Sequence, residues 1–232
     1  MKILIISSRI PFPVKTGDRV LLYNRLKRLH LNNEITLILL YSRDSELSNI
    51  DSLYKYCKNI HTFKISKIRS IFNIISNFLF DRSPLQVLYF KINSIQKKIK
   101  LIHDQGEFDI VNAYLIRTIP LIEFLDTPIV LDMIDSMQLN FERRINHTNS
   151  IILKLLYKFE YNRIVHYENN LPKNIKKSLV VASEDKAYIH SDATVLSLGV
   201  DTEYFATANN QRNNTIIFSG NMSYEPNIQA IL

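Results

Sequence analysis

Residues 2–19 read KILIISSRIPFPVKTGDR, and this stretch decides the fold. The apolar run at residues 3–6 is typical of a strand that is covered on both faces, as in a parallel sheet. Pro11 and Pro13 then prevent a helix or a continued strand ladder, and Gly17 allows a tight turn. Apolar residues at helical spacing follow, so the stretch predicts a strand–loop–helix unit.

The loop of this first unit lies at the carboxyl end of its strand, where doubly wound sheets bind their ligands. The start of the following helix offers free N–H groups and a positive dipole end, which suit a phosphate. No dinucleotide-binding G-x-G-x-x-G pattern or P-loop pattern occurs in the chain. Gly17 therefore has two interpretations: a glycine that contacts phosphate, or a turn residue alone.

The rest of the chain alternates strand-like and helix-like patterns. Further strands are predicted at residues 34–41, 60–65, 108–113, 127–136, 178–182 and 193–196. Helices are predicted at residues 44–56, where Asp44 or Ser45 is the expected cap, and at 68–79, 88–102, 137–145 and 151–170, with a short helix from 183. This alternation predicts an α/β, Rossmann-like doubly wound parallel sheet.

A polar stretch without pattern, residues 206–214, predicts a linker. A new strand and glycine turn are predicted at 215–221, and a helix begins at 227. The 18 residues of 215–232 are too few to bury a core. We therefore predict a Rossmann-like domain at 1–205, the linker, and the first strand and partial helix of a second, truncated Rossmann-like domain at 215–232.

The formal net charge of +7 has a location. Residues 64–100 hold eight basic residues and one acidic residue, Asp81, so the net charge of this region equals the net charge of the whole chain. The two amphipathic helices of residues 64–103 either pack on the core with solvated lysines or lie on an anionic membrane, with about 1 kcal/mol from each basic residue. No nucleic-acid partner is expected, because no reader motif or interleaving of basic and exposed aromatic residues is found.

The sequence shows no pattern typical of a secreted, membrane-spanning, disulfide-bonded or metal-binding protein. Met1 and Lys2 lead directly into a strand, so no signal peptide is expected, and no apolar run reaches transmembrane length. Cys57 is the only cysteine, which excludes an internal disulfide and fits a reducing compartment. The six histidines show no metal-ligand spacing, so no metal site is expected.

Two carboxylates accompany the strand predicted at 127–136. Asp135 lies at the carboxyl end of this strand, on the edge that binds ligands. In the alternative interpretation, Asp135 or Ser136 caps the next helix. Asp132 and Asp135 are three residues apart and point to opposite faces of a strand, so they are not a paired acid and base.

The order of elements and their edge residues resembles the N-terminal half of a family-4 glycosyltransferase of the GT-B fold, close to the bacterial sugar transferases of surface-polysaccharide gene clusters. The stretches that carry the resemblance are residues 8–19, 108–114, 132–136, 167–168, 181–185, 198–205 and 218–227. The most specific of them are 199–205 and 220–227. Tyr114 and Ile134 stand where many relatives have histidine.

The resemblance implies two Rossmann-like domains that face each other across a cleft. The first holds the acceptor, and the second holds the nucleotide-sugar and a glutamate motif, which here would lie beyond Leu232. It implies retaining transfer of a sugar from a nucleotide-sugar donor to a lipid-linked or polysaccharide acceptor at the inner face of the cytoplasmic membrane, without metal or cofactor. The chain alone is expected to be inactive. The alternative is a non-catalytic binding module or split subunit that needs a separate donor-domain chain.

The resemblance also implies roles for single residues. Gly17 closes on the donor phosphates, and Asp18 and Arg19 lie beside the transferred sugar. The other substrate-binding residues that it implies are Tyr114, Asp135, Ser136, Glu184, Gly220 and Asn221. Glycosyl transfer builds positive charge at the anomeric carbon and negative charge on the leaving diphosphate, so the site needs anion-binding groups on one side and carboxylates on the other.

Overall fold

The structure is a computed structural model that describes residues 1–14, 16–189 and 192–199, together with 216–218, 220, 227, 228 and 231. Contacts divide the chain into two compact units, Met1–Leu198 and Gly199–Leu232. The predicted linker at 206–214 lies outside the described residues. The strand predicted at 215–221 is not found in its described part, because residues 216–218 have no regular structure. A strand requires a hydrogen-bonded neighbour, and no strand of the described chain pairs with these residues.

One parallel sheet of seven strands organises the first unit, as the alternation predicts. The strands are β1 (Lys2–Ser7), β2 (Glu34–Tyr41), β3 (Asn59–Lys64), β4 (Ile110–Tyr114), β5 (Ile129–Ile134), β6 (Ile175–Val180) and β7 (Ala193–Val195). Their order across the sheet is β3-β2-β1-β4-β5-β6-β7, and every adjacent pair is parallel. The fold is therefore the expected α/β, Rossmann-like arrangement.

Helices connect the strands. They are α1 (Gly17–Leu29), α2 (Lys67–Asn77), α3 (Leu85–Phe90), α4 (Asn93–Gly106), α5 (Met137–His147), α6 (Ile151–Asn169) and α7 (Ser183–Lys186). Two 3₁₀ helices occupy Asp44–Leu53 and Ile116–Leu121. Among the described residues, no helix is both long enough and apolar enough to cross a membrane.

The apolar run of β1 explains the position of the core. Leu4 and Ile6 contribute to an apolar cluster on one face of the sheet, and Ile3 and Ile5 contribute to a second cluster on the other face. A strand that is buried on both faces requires apolar residues at consecutive positions, which is the pattern found there. β1 is consequently a central strand.

The order of the strands reverses beside β1. The chain runs outward from β1 through β2 to β3, and then returns to place β4 on the other side of β1 before it continues to β7. The loops after β1 and β4 therefore diverge from neighbouring strand ends. Such a topological switch point opens a crevice at the carboxyl edge of the sheet, and α/β proteins bind ligands in this crevice.

The helix predicted at 88–102 is wrong, because the structure contains two helices there. Asn73 of α2 donates hydrogen bonds from Nδ2 to the carbonyl groups of Leu88, at 2.6 Å, and Lys91, at 2.8 Å. These carbonyls lie at the C-terminal end of α3, where a helix leaves its last acceptors unpaired. Hydrogen bonds from Asn73, which lies 15 residues before Leu88 and 18 before Lys91 in the chain, thus end α3 and separate it from α4.

The helix predicted at 44–56 is a 3₁₀ helix that ends at Leu53, and neither Asp44 nor Ser45 caps it. The preceding residue, Arg43, takes the capping position, and the Glu46 carboxylate accepts its backbone N–H at 2.9 Å. Asn49 departs from helical geometry, which divides the segment. The sequence pattern misses this because 3₁₀ and α turns share similar apolar spacing over one or two turns.

The structure distinguishes the helices of residues 64–103 by how far each is buried, and the predicted contact with a membrane stays a prediction. Ile95 and Ile99 of α4 are buried in the core, so this helix packs on the sheet. The apolar stripe of α2 is exposed: Ile68, Ile75 and Leu79 beside it keep 82%, 69% and 81% of their surface accessible. Of these two helices, α2 is the one whose apolar stripe the described chain leaves uncovered.

Candidate functional site

The loop after β1 is fixed by its own side chains. The Ser7 hydroxyl donates to the Arg9 carbonyl at 2.7 Å and accepts the Arg9 N–H at 3.2 Å. Thr16 is extended and α1 begins at Gly17, so Gly17 belongs to the first turn of the helix and not to the tight turn that the sequence predicted before it. This arrangement presents Arg9 and the first turn of α1 at the carboxyl edge of the sheet.

Asp18, in that first turn, is surrounded by donors. Its carboxylate accepts from Arg9 Nη1 at 2.8 Å and from the Thr16 hydroxyl. Burial by itself would raise the pKa of Asp18, but the Thr16 hydrogen bond, the Arg9 charge, the Arg19 N–H and the Arg117 charge together hold the pKa below its usual value. Asp18 is therefore a carboxylate at neutral pH, and it lies between cationic groups.

Gly17 itself is exposed, and a Cβ added to it would meet no atom within 4 Å. Its φ lies outside the left-handed region that favours glycine. No contact within the described chain therefore requires glycine at this position. The open space beside its backbone is compatible with close approach by a ligand, and the predicted contact of Gly17 with phosphate stays a prediction.

Arg117 enters the site from the segment after β4, and the sequence analysis does not select it. Its Nε donates to Ser8 Oγ at 2.7 Å, although 109 residues separate the two in the chain. Burial first, and then the nearby charge of Arg9, lower the pKa of Arg117 to about 10. The sequence signal that was available is a cation three residues beyond the end of a buried strand.

Tyr114 ties β4 to the start of α1. The side chain is almost fully buried, and its hydroxyl donates to the backbone carbonyl of Asp18. Burial raises the pKa of Tyr114 well above its usual range, so the phenol keeps its proton. The observed contact positions Asp18, and the predicted contact of Tyr114 with substrate stays a prediction.

A buried ion pair lies beneath the site. Asp132 of β5 is fully buried, and its carboxylate pairs with the guanidinium of Arg25 on α1. The pair joins the helix that carries Asp18 to the strand that leads to Asp135. Asp132 thus has a structural partner inside the molecule.

Asp135 stands after β5, beyond a strained turn. Ile134 has a φ of +66°, and the Asp135 N–H donates to the Met133 carbonyl at 2.9 Å, which closes a tight turn of three residues. A β-branched residue with positive φ costs of the order of 1–3 kcal/mol and is enriched at functional sites. The strain turns Asp135 away from the strand direction.

The Asp135 carboxyl group remains available because Ser136, and not Asp135, caps α5. The Ser136 hydroxyl accepts the Leu139 N–H at 3.3 Å. Burial first, then the negative charges of Asp185 and Asp18, raise the pKa of Asp135 against the opposing charge of Arg143. The charge of Asp18 thus acts on Asp135, and carboxyl groups as well as arginines lie at the carboxyl edge.

The turn after β6 supplies Asp185 to this edge, where the sequence analysis selects Glu184. Asp185 is buried and its Oδ1 accepts the Ser136 N–H at 2.8 Å, whereas Glu184 is exposed and accepts a hydrogen bond only from Ser183, at 3.3 Å, within the described chain. Both residues belong to α7. Sequence alone did not show which of the two side chains turns inward.

The remaining predicted residues have different outcomes. Arg19 follows Asp18 on α1, and its Nε is buried without a hydrogen-bond partner in the described chain. Gly220 is exposed and belongs to the second unit, where an added Cβ would lie 2.9 Å from Asn227 Nδ2. Asn221 lies outside the described residues. The roles of all three stay predictions.

Other candidate sites are weaker. Within the described residues, no group of histidine, cysteine, aspartate and glutamate side chains could hold a metal ion. An open hollow of about 820 Å³ lies at the amino ends of the strands, lined by Met1, Lys2, residues 30–34, Glu107 and Asp109. Because open α/β sheets bind ligands at the carboxyl ends of their strands, the arginine–carboxylate edge is the better candidate.

Comparisons with known proteins give a small set of similarities. No protein-family model matches the chain. A curated protein of Klebsiella pneumoniae, described as an uncharacterized 44.6 kDa protein in cps region, is 25% identical over 187 residues, which are 79% of this chain and 46% of that protein. The chain thus spans less than half the length of this relative.

Solved structures similar to this chain include two glucosyltransferases. A UDP-glucosyltransferase from Polygonum tinctorium, in complex with 3,4-dichloroaniline, is 13% identical with a TM-score of 0.48 and covers 86% of this chain and 52% of its own. A UDP-glucose: anthocyanidin 3-O-glucosyltransferase in complex with UDP is 14% identical with a TM-score of 0.44, over 84% and 52% of the two chains. At these TM-scores the likenesses carry no argument about activity.

Proposed function

We propose that this chain is the acceptor-side part of a glycosyltransferase that moves a sugar from a nucleotide-sugar donor to a lipid-linked or polysaccharide acceptor, with retention at the anomeric carbon. One observation carries the proposal. Asp18, which pairs with Arg9 at 2.8 Å, and Asp135, on which the charges of Asp18 and Arg143 act, both lie at the carboxyl edge of a parallel sheet, beside its switch point.

The charge distribution of this edge suits glycosyl transfer. The transition state carries positive charge near the anomeric carbon and negative charge on the leaving diphosphate. Arg9 and Arg117 offer cations at the ends of β1 and β4, and Asp135 and Asp185 offer carboxyl groups at the ends of β5 and β6. A sugar diphosphate placed along the edge would meet groups of the required sign at each end.

The chain by itself is proposed to be inactive, because the nucleotide-sugar pocket and a glutamate motif belong to the second domain of the family that the sequence resembles. The surface-polysaccharide part of the proposal is supported by the curated relative, which is described as lying in a cps region. Its length, of which this chain covers 46%, leaves room for a second domain in that protein.

The exposed face of α2 supports the membrane part of the proposal. Phe78, next to α2, packs on Phe159 of α6 with ring centroids 5.4 Å apart, so the exposed apolar side chains of α2 continue onto α6. We call this surface the α2–α6 face; its exposed apolar residues are Ile68, Ile71, Phe72, Ile75, Phe78, Leu79, Phe80, Ile151, Ile152, Leu155, Leu156 and Phe159.

Basic residues accompany the α2–α6 face, and α2 contains no acidic residue. These basic residues are all exposed: Lys67 and Arg69 lie on α2, Arg82 follows α2, and Lys154 and Lys158 lie on α6. Apolar side chains with neighbouring cations are typical of a surface that binds an anionic membrane. The protein is therefore proposed to bind the inner face of the cytoplasmic membrane through this face.

A transfer assay tests the proposal. Labelled nucleotide-sugars are incubated with bacterial membrane lipids and either the 232-residue chain or a polypeptide in which this chain continues into a complete second domain. We expect labelled lipid only with the longer polypeptide, and a large loss of transfer in its Asp135→Asn variant.

Two results of this assay would contradict the proposal. Transfer by the 232-residue chain alone would show that the donor pocket is not missing. Absence of transfer with every nucleotide-sugar, by a folded two-domain protein, would favour the non-catalytic binding module instead.

A further inference from the structure

Arg9 and Arg117 lie at the same level of the sheet, on the two sides of its switch point. Arg9 is the second residue after β1, and Arg117 is the third residue after β4. The last residues of these strands, Ser7 and Tyr114, are register partners in the parallel ladder. The two arginines therefore flank the crevice that opens between the diverging loops.

The two guanidinium groups lie close enough to repel each other. After burial, the charge of Arg9 is the strongest influence that lowers the pKa of Arg117, which at about 10 still leaves Arg117 protonated at neutral pH. In the described part of the chain, Asp18 is the carboxylate that contacts the pair, through its 2.8 Å ion pair with Arg9. Two cations thus share one anion.

Contacts fix the orientation of the Arg117 side chain and leave some of its N–H donors without an acceptor in the described chain. Its Nε donates to Ser8 Oγ at 2.7 Å, and its guanidinium lies 5.6 Å from the centre of the Phe90 ring. Within the described residues, the side-chain hydrogen bonds of Arg117 start from Nε alone, so the two Nη groups remain for another acceptor. A planar guanidinium with free donors matches two oxygens of a phosphoryl group.

Among the described residues, no second carboxylate contacts Arg9 or Arg117 to balance this excess of positive charge. The deeper arginine, Arg25, has its own carboxylate in Asp132, so each of these two charges is compensated. Arg117 is mostly buried beside a like charge, which costs free energy unless an anion compensates it. An anionic ligand at the switch point would supply the missing charge.

We propose that Arg9 and Arg117 form a subsite for a phosphoryl group at the crevice between the ends of β1 and β4. The subsite would hold either a phosphate of the acceptor or the diphosphate of the donor. It deepens the proposed function, and it rests on that function only for the source of the phosphoryl group.

Calorimetric titration of the 232-residue chain with inorganic pyrophosphate, inorganic phosphate and UDP tests the subsite. We expect pyrophosphate to bind, and Arg9→Gln and Arg117→Gln each to weaken its binding about tenfold or more, because each removes a charge-assisted contact. Arg28→Gln is the matched control: Arg28 is an exposed arginine near the opposite end of α1, and its loss should change the affinity less than twofold.

The three probes separate the sources. Parallel losses of UDP and pyrophosphate binding in both variants assign the subsite to the donor diphosphate. Loss of pyrophosphate and phosphate binding with unchanged UDP binding assigns it to the acceptor phosphate. Thermal unfolding checks that each variant is folded, and Arg9, whose side chain is 45% exposed, is the variant least dependent on packing.

Absence of pyrophosphate binding to the unmodified chain overturns the subsite, as does equal binding by the unmodified chain and Arg9→Gln. Because this titration needs no sugar transfer, its outcome is independent of the transfer assay. A chain that binds pyrophosphate through both arginines but never supports transfer would keep the subsite and lose the proposed function.

Discussion

Single carboxyl groups behave differently according to what lies around them. Asp18 is stabilised as an anion by Thr16 and Arg9, whereas Asp135 is protonated more readily because burial and the charge of Asp185 act on it. Glu168 of α6 is a further buried carboxyl group, of which 2% is exposed. These differences arise from neighbours that are distant in sequence, so they produce measurable effects of pH.

Glu168 provides a prediction for stability. Burial raises its pKa from 4.5 to about 7, and the charge of Asp185 acts in the same direction, whereas the Gln138 side chain and the Met137 N–H oppose the shift. Between these values the folded chain keeps a proton that the unfolded chain has lost. The free energy of unfolding should therefore fall as pH rises from about 5 to 7, by up to about 3 kcal/mol.

Urea unfolding of the unmodified chain and of Glu168→Gln, between pH 5 and 8, measures this effect. The variant keeps the shape of the side chain but cannot ionise, so its unfolding free energy should depend less on pH in this window. Asp126→Asn, which changes an exposed acid, is the control and should keep the original dependence. Identical pH profiles for the unmodified chain and Glu168→Gln would contradict the prediction.

Residues of the site were predictable where they directly follow a strand. Asp135 was found in this way, because the carboxyl ends of parallel strands are the expected position of a site, whereas Asp18, in the first turn of α1, was selected through the family resemblance. Arg117 and Asp185 were missed, since their importance depends on contacts with Ser8 and Ser136, 109 and 49 residues away. No local pattern contains such information.

Secondary-structure elements were predictable in proportion to their burial on both faces. β2, Glu34–Tyr41, was predicted with its observed bounds because six consecutive residues in it are buried. β6 begins at Ile175, three residues before its predicted start, because the lysines at its beginning conceal a strand that pairs with Ile129. The division between α3 and α4 depends on Asn73 of α2, so the sequences of α3 and α4 alone could not predict it.

The α2–α6 face provides a prediction at the scale of helices. Ile75→Glu should weaken binding to anionic liposomes, because it places a charge in the centre of the apolar stripe of α2. Leu101→Glu is the matched control: Leu101 is 62% exposed, against 69% for Ile75, but it belongs to α4, whose apolar stripe packs on the core. Liposome co-sedimentation measures both variants.

The expected result is strong loss of sedimentation for Ile75→Glu and little change for Leu101→Glu. Equal sedimentation of Ile75→Glu and the unmodified chain would contradict a role for α2 in membrane binding. Three of the eight basic residues of 64–100 form ion pairs, namely Lys64 with Asp44, Lys91 with Asp81 and Lys100 with Asp104. Their charges therefore contribute less to such binding than the sequence suggests.

The whole molecule brings the candidate residues to one place by topology. The reversal of strand order beside β1 opens the crevice, the Arg25–Asp132 pair joins α1 to β5, and the Tyr114 hydroxyl fixes the start of α1. The fold class follows from the sequence because alternating buried strands and helices admit few arrangements. The strand neighbours at the switch point follow only from the structure.

The central claim is that the carboxyl edge of the sheet, between β1 and β4, binds phosphoryl ligands. Amide chemical-shift mapping of the 232-residue chain by NMR, during titration with UDP and then with pyrophosphate, tests it most directly. The account predicts that the largest shifts belong to Ser8, Arg9, Asp18 and Ser136. Shifts confined to residues 30–34, in the hollow at the amino ends of the strands, or no shifts at saturating ligand, would contradict it.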